Sequence, residues 1–382
     1  MMKLLQIVSI LIALSFVTFI VTFILILGGH LHLMGLVWTI SACLFVLIVC
    51  SMMNWFNTKT KKGWVIGILS VALLIATIQP IRYYYKMSIP TVDAEIDVFA
   101  YEPFSRNNKV IKSDTEASLQ LTQPLPRLDG ATAMYPLYAA FVEATYPKNN
   151  YSPYDSIVKV SRTPEAYQNL LVGDTDIIFV AAPSTSQQWQ AENKGLAFNM
   201  TPIGREAFVF FVHANNSVDN LTLEQVKQIY AGDITNWHEV GGQDDAIRAF
   251  QRPADSGSQT ALEKLMGDQP IMEAPTEDIA SGMGGIIQEV SKYRNYKNAI
   301  GYTFRYYSTE MIQNKEIKLL SIDGVAPTKE NIQNGTYPLI AEFYAVTAGT
   351  ENPNAQKLID WICSDEGQAI IEKVGYVPVA KN

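Results

Sequence analysis

The chain has 382 residues, a formal net charge of −8 and 48% hydrophobic content. Those averages join two unlike polymers: the first 80 residues carry only Lys3, Lys59, Lys61 and Lys62 as charged side chains, which leaves 25 bases against all 37 acids, net −12, in the rest. The first stretch excludes a wholly soluble protein, and the second excludes a purely integral one and is long enough for two lobes with sizeable cores.

Residues 4–28 read LLQIVSILIALSFVTFIVTFILILG, an uncharged run long enough to cross a hydrocarbon core of about 30 Å at about 1.5 Å per residue. A second run, 33–53, follows the GHLH break, and a third, 64–80, follows NWFNTKTKKG. Residues 1–86 therefore read as a membrane anchor of three transmembrane helices. A cleaved signal peptide fits badly, because its apolar region is usually about 7–15 residues and is not followed by two more such runs. The excess of lysine on the cytoplasmic side places Lys3 and the Lys59–Lys62 connection inside, and an odd number of spans puts everything after Pro80 outside. Arg82, Tyr83, Tyr84, Tyr85 and Lys86 suit an interfacial belt or the start of the next segment equally well. Cys43, Cys50 and Cys363 form no disulfide framework. His30 and His32 lack the further ligands a metal would need and read as interfacial residues.

From 87 to 126, Pro90, Pro103, Pro124 and Pro126 interrupt polar stretches such as SRNNKVIKSDTE. This reads as an extracytoplasmic linker that lifts a domain off the membrane. Beyond it, strand-like runs (IVKVS, DIIFVAAP, AFVFFVHA, AIRAFQR, AIGYTFRYY, EFYAVTA) alternate with helical ones (LYAAFVEATY, EAYQNLLVGD, TLEQVKQIYAG, QTALEKLMG, MGGIIQEVSKY, NAQKLIDWICSDEGQAIIEKVG). Such alternation predicts an α/β domain over 127–382 with largely parallel sheets.

Enzyme signatures are missing: there is no GxSxG, HExxH, Walker loop or GxGxxG, and the outer domain has only His213 and His238, both placed as surface or capping residues. What stands out is a set of helix beginnings rich in small hydroxyl residues. In LDGATAMYPLYAAF, Thr132 and Ala133 precede a helix with Pro136 in its first turn; in KVSRTPEAYQNL, Ser161 and Thr163 flank Arg162; in FQRPADSGSQTALEKL, Arg252 leaves a strand ahead of Ser256, Gly257 and Ser258. Each entrance offers unpaired backbone N–H groups and the positive end of a helix dipole, which suit an oxyanion. Arg252 adds a planar, permanently charged fork. Ordinary capping explains any one of these entrances alone.

Taken in order, DGATAMYPLYAAFVEATYP, the ADSGSQT entrance after Arg252, LTLEQVKQIYAGDITNWHEVGG, NAIGY and SDEGQAIIEKVGYVPV closely resemble the phosphate-binding proteins of high-affinity phosphate ABC transporters, from about residue 127 to 380. The resemblance implies a type II periplasmic-binding-protein fold: two α/β lobes, 127–207 with 306–382 and 208–305, closing on a tetrahedral oxyanion. Carried over by position, it implies a ligand set of Thr132, the backbone of Ala133, Ser161 or Thr163, and Arg252 with Ser256, Gly257 and Ser258. The family's proton-accepting aspartate falls on Ala181 or its neighbours, in DTDIIFVAAPS. Asp174 and Asp176 are placed at a turn, while Asp255 suits either a substitute acceptor or an N-cap.

These readings predict a membrane-anchored, extracytoplasmic solute-binding protein that passes phosphate or a similar oxyanion to an ABC transporter permease, with no cofactor and no catalytic step. The alternative is a membrane-bound sensory or interaction module that keeps the fold with a lost or altered ligand. The acidic outer domain excludes nucleic acid and gives an anion no long-range steering.

Overall fold

The structure is a computed structural model that describes residues 2–88, 96–274, 279, 296–313 and 315–379. It divides into two compact units, Met1–Thr91 and Val92–Asn382.

The first unit is helical, as an apolar chain in lipid must be if its backbone is to satisfy its own hydrogen bonds. Helices α1 (Met2–Leu27), α2 (Met34–Met52) and α3 (Lys59–Ser88) follow one another, and three helices are long and apolar enough to cross a membrane. The third is longer than its apolar run predicts: it starts at Lys59 and carries Pro80 inside it. Lys3 Nζ donates to the Met52 carbonyl at 3.3 Å, and the His32 ring stacks on Tyr83 at 3.6 Å. The starts of α1 and α3 therefore lie at one end of the bundle, and the 31–33 turn meets the last turns of α3 at the other. Thr18 donates to Ser41 Oγ at 2.6 Å, joining α1 to α2.

The second unit holds β1 (Leu128–Gly130), α4 (Tyr135–Thr145), α5 (Thr163–Leu171), β2 (Ile177–Ala181), α6 (Thr185–Asn193), β3 (Asn199–His213), β4 (Asn220–Leu221), α7 (Leu223–Ala231), β5 (Arg248–Ala249), α8 (Gly257–Met266), β6 (Ala299–Phe304), β7 (Ile317–Leu319), β8 (Ser321–Ile322), α9 (Lys329–Gln333), β9 (Ile340–Thr347), α10 (Pro353–Cys363), α11 (Asp365–Val374) and β10 (Val377–Pro378). The predicted helix MGGIIQEVSKY lies outside the described residues. The main sheet runs β1-β2-β9-β3-β6-β5, with β7 and β10 also on β3. It is mixed, contrary to the largely parallel expectation. The parallel pairs β1/β2 and β5/β6 sit at its edges, and the centre is antiparallel because β3 leaves one lobe and β9 returns to it.

Two hydrophobic cores result, one around Phe141, Phe179 and Ile359, the other around Phe210, Tyr230 and Leu262. β3 serves both. Its first half pairs with β9 and its second with β6, and its 15 residues span roughly 50 Å at about 3.3 Å per residue. After β6, Tyr306 and Tyr307 pack in the first core, Ile322, Ile332 and Tyr337 in the second, and β9 lies along β3. One correction concerns the linker. Val98, Val110, Leu121 and Leu125 are buried in the first core, and Ser118 donates its N–H to Glu366 at 2.9 Å. From residue 96 the segment is part of the domain.

Candidate functional site

The crossing strands form the floor of a cleft between the two cores. At Gly204 a Cβ would stand 2.3 Å from Phe343 Cζ, so glycine lets the Phe343 ring lie across β3. Against this floor the starts of three helices converge. A small cavity of about 20 Å³ is lined by Ala131, Ala133 and Met134 ahead of α4, Thr163 opening α5, and Gly257 opening α8, with Ala181, Glu206 and Phe304. A Cβ on Gly257 would stand 3.4 Å from both Thr163 Oγ1 and the Ala181 methyl.

Each entrance is held by its own buttress. Gly130 ends β1 against the Phe179 carbonyl, 2.5 Å from where its Cβ would be, so only glycine permits this approach before α4. Tyr376 donates its hydroxyl to the Ala133 carbonyl at 2.6 Å, tying this turn to the C-terminal segment. The fully buried Asp129 accepts both the N–H and the hydroxyl of Ser161 at 2.8 Å, and the Asn169 amide at 2.8 Å. This clamp holds Arg162 at φ +75, a conformation costly for a residue with a Cβ, and so delivers Thr163 to the cavity. At α8, Ser256 Oγ accepts the Gln259 N–H at 3.3 Å. Arg252 donates its N–H to Gln259 Oε1 at 3.1 Å and to the Tyr302 hydroxyl at 2.9 Å.

The sequence-derived residues thus separate by role. Thr163, Ala133 and Gly257 line the cavity. The Ser258 hydroxyl is buried without a hydrogen bond among the described residues. Ser161 and Ser256 spend their side chains on a loop clamp and a cap. Thr132 opens the turn before α4, partly buried. Asp255 bridges two helix starts: its carboxylate accepts the Ser184 hydroxyl at 2.6 Å, and its carbonyl accepts the Gln187 amide at 3.2 Å, which joins the start of α6 to the start of α8 across the cleft. Asp176 lies in the bend ahead of β2, buried rather than solvated. Burial pushes its carboxyl up, but hydrogen bonds from Arg127 and Thr350 hold it below the ordinary range.

Burial pushes the Arg252 guanidinium down to about 10, and the field of Arg162 adds to this against the opposing pull of Tyr302 and Tyr307. Glu206, which the sequence reading did not single out, is buried on β3 beside the cavity. Desolvation pushes it up to about 7, against N–H groups of Ala207 and Tyr306 and the charges of Arg305 and Lys329. Its signal was one acid at the head of the apolar run AFVFFVHA. Among the described residues no group of three or more His, Cys, Asp or Glu could hold a metal.

A sequence profile described as a PBP superfamily domain matches residues 119–366, well over half of the chain. The chain belongs to the PBP superfamily. Within it, the chain is 29% identical over 286 residues to the phosphate-binding protein PstS of Bacillus subtilis, covering 73% of this chain and 87% of that one. It is 27% identical over 185 residues to PstS of Borreliella burgdorferi, covering 47% and 65%. A crystal structure of a protein assigned as a phosphate ABC transporter substrate-binding protein of Clostridium perfringens, with phosphate bound, is 26% identical with a TM-score of 0.51, covering 66% of this chain and 98% of that one. The two-lobed type II architecture, the crossing strands and the interlobe cleft are those of this superfamily. The three apolar helices stand before the matched region.

Proposed function

We propose that the chain is a membrane-anchored binding protein that captures phosphate or a related tetrahedral oxyanion in the interlobe cleft and delivers it to an ABC transporter permease. The observation that carries this reading is the convergence of three helix N-termini on one cavity lined by Ala133, Thr163 and Gly257. Backbone N–H groups and helix dipoles supply a fixed positive potential there, and Arg252 supplies a charge that no pH in the physiological range removes. Binding is reversible and needs no covalent step. The lobes pivot on β3 and β9, and Asp255 meets Ser184 and Gln187 when they are together. The relatives named for phosphate binding and phosphate ABC transport support the ligand class and the permease partner.

The charge pattern supports the orientation. Lys3 and Lys59–Lys62 lie at one end of the bundle, which the positive-inside rule makes cytoplasmic. The binding domain then lies outside the plasma membrane of the cell, and tethering raises its effective concentration near a permease in the same bilayer. Calorimetric titration of the full-length protein in detergent with phosphate, sulfate, tungstate and molybdate tests the reading. Saturable heat with at least one of these anions is expected, and no heat with any of them contradicts it.

A further inference from the structure

The cavity at the helix starts is narrow, about 20 Å³, little more than the room a single water needs. It does not end there. Ala181, Gly257, Phe304, Ala341 and Glu342 also line a groove of about 420 Å³, inside the range of about 300–1,000 Å³ usual for organic ligands. The groove is present with the Ser184–Asp255 contact made. Its walls are Phe208, Ala261, Leu265 and Leu339, with Arg205 and Thr260 beside them. Arg205 Nε and Thr260 Oγ1 are buried without hydrogen bonds among the described residues.

Where cavity and groove meet stand the Ala181 methyl, Gly257 and the Glu342 carboxylate, so no large side chain at residue 181 blocks the opening. The two carboxylates that line the cavity are Glu206, whose oxygens take the N–H groups of Ala207 and Tyr306, and Glu342, which takes the Tyr344 hydroxyl at 2.9 Å. Such an opening leaves room for a substituent on the phosphoryl group, as in a phosphate monoester or a phosphonate; the second ionisation of a monoester lies at about 6, so near pH 8 it is a dianion.

We infer that the cleft takes an organic phosphate or phosphonate, R–PO3, with the phosphoryl group at the helix starts and the organic part in the groove walled by Phe208, Ala261 and Leu339. This deepens the anion-binding reading and rests on it. The test is calorimetry on the full-length protein at pH 8 with inorganic phosphate, phenylphosphonate and glycerol 3-phosphate, repeated on Ala261→Phe, which fills the groove away from the helix starts. The inference expects one of the two organic ligands to bind at least about tenfold tighter than inorganic phosphate. Ala261→Phe abolishes that preference and leaves inorganic phosphate unchanged. Inorganic phosphate binding tighter than both organic ligands overturns the inference while leaving the anion site standing. So does equal weakening of all three by Ala261→Phe. Absence of binding by all three overturns both. If Ala261→Phe does not fold, the comparison on the wild-type chain decides alone.

Discussion

At the scale of single residues, the site depends on atoms that are missing as much as on those present. Gly257 is the clearest case. A Cβ there meets Thr163 Oγ1 and Ala181 Cβ at 3.4 Å, an ordinary contact, so Gly257→Ala folds, and alanine in a first helical turn stabilises slightly. The same methyl enters the cavity proposed for the anion, and phosphate affinity is expected to fall by at least about tenfold, or about 1.4 kcal/mol, with an unchanged thermal melt. Glu206 gives a pH signature. Its folded value near 7 lies above the ordinary 4.5, so the folded state holds a proton that the unfolded chain has lost. Its contribution is therefore greatest below about 4.5 and is lost as pH rises through about 7. Glu206→Gln should flatten the fall in melting temperature across that window, a fall worth up to roughly 3 kcal/mol; an unchanged slope in melts taken from pH 4.5 to 7.5 would count against it. The sequence was informative here where chemistry is local: TPEA declares a helix start and PADSGSQ another. It was uninformative where partners are distant. Ser161 looked like a ligand because Asp129, which takes its hydroxyl, is 32 residues away, and no local pattern reports such a pairing.

At the scale of elements, periodicity located α5, α7 and α8 because each buries one face and exposes another, whereas α4 exposes no residue and the single run read over NAQKLIDWICSDEGQAIIEKVG is two helices, α10 and α11, parted at Ser364. β2 was legible as the continuous apolar run of a strand covered on both sides. Strand direction was not, since the antiparallel passage of β3 against β9 depends on which lobe the chain enters next. The proline-rich segment after the anchor misled for a related reason. Its burial comes from scattered residues, Val98, Val110, Leu121 and Leu125, with no period to betray them. A consequence can be measured. A fragment starting at Arg127 loses those four side chains from the first core, each worth about 1.5–3 kcal/mol when fully buried. It is expected to aggregate or to melt well below a fragment starting at Val92, and equal melts would show that the segment contributes nothing to the fold.

At the scale of the whole molecule, a basic, acid-free stretch of three apolar helices precedes an acidic domain whose anion site must work against its own net charge. Long-range steering cannot bring an anion to it, so the proposed capture rests on short-range groups: helix ends, Thr163, Ser258 and above all Arg252. That makes Arg252 the point at which the account is most exposed. Its guanidinium is buried, and removing a charge-assisted partner from a buried anion typically costs about 2–5 kcal/mol. The direct measurement is retention of radiolabelled phosphate by the full-length protein in equilibrium dialysis, wild type beside Arg252→Ala, both shown to be folded by their thermal melts. The account predicts saturable binding to the wild type that weakens by at least about thirtyfold in the variant; equal retention by the two, or none by the wild type, would contradict it.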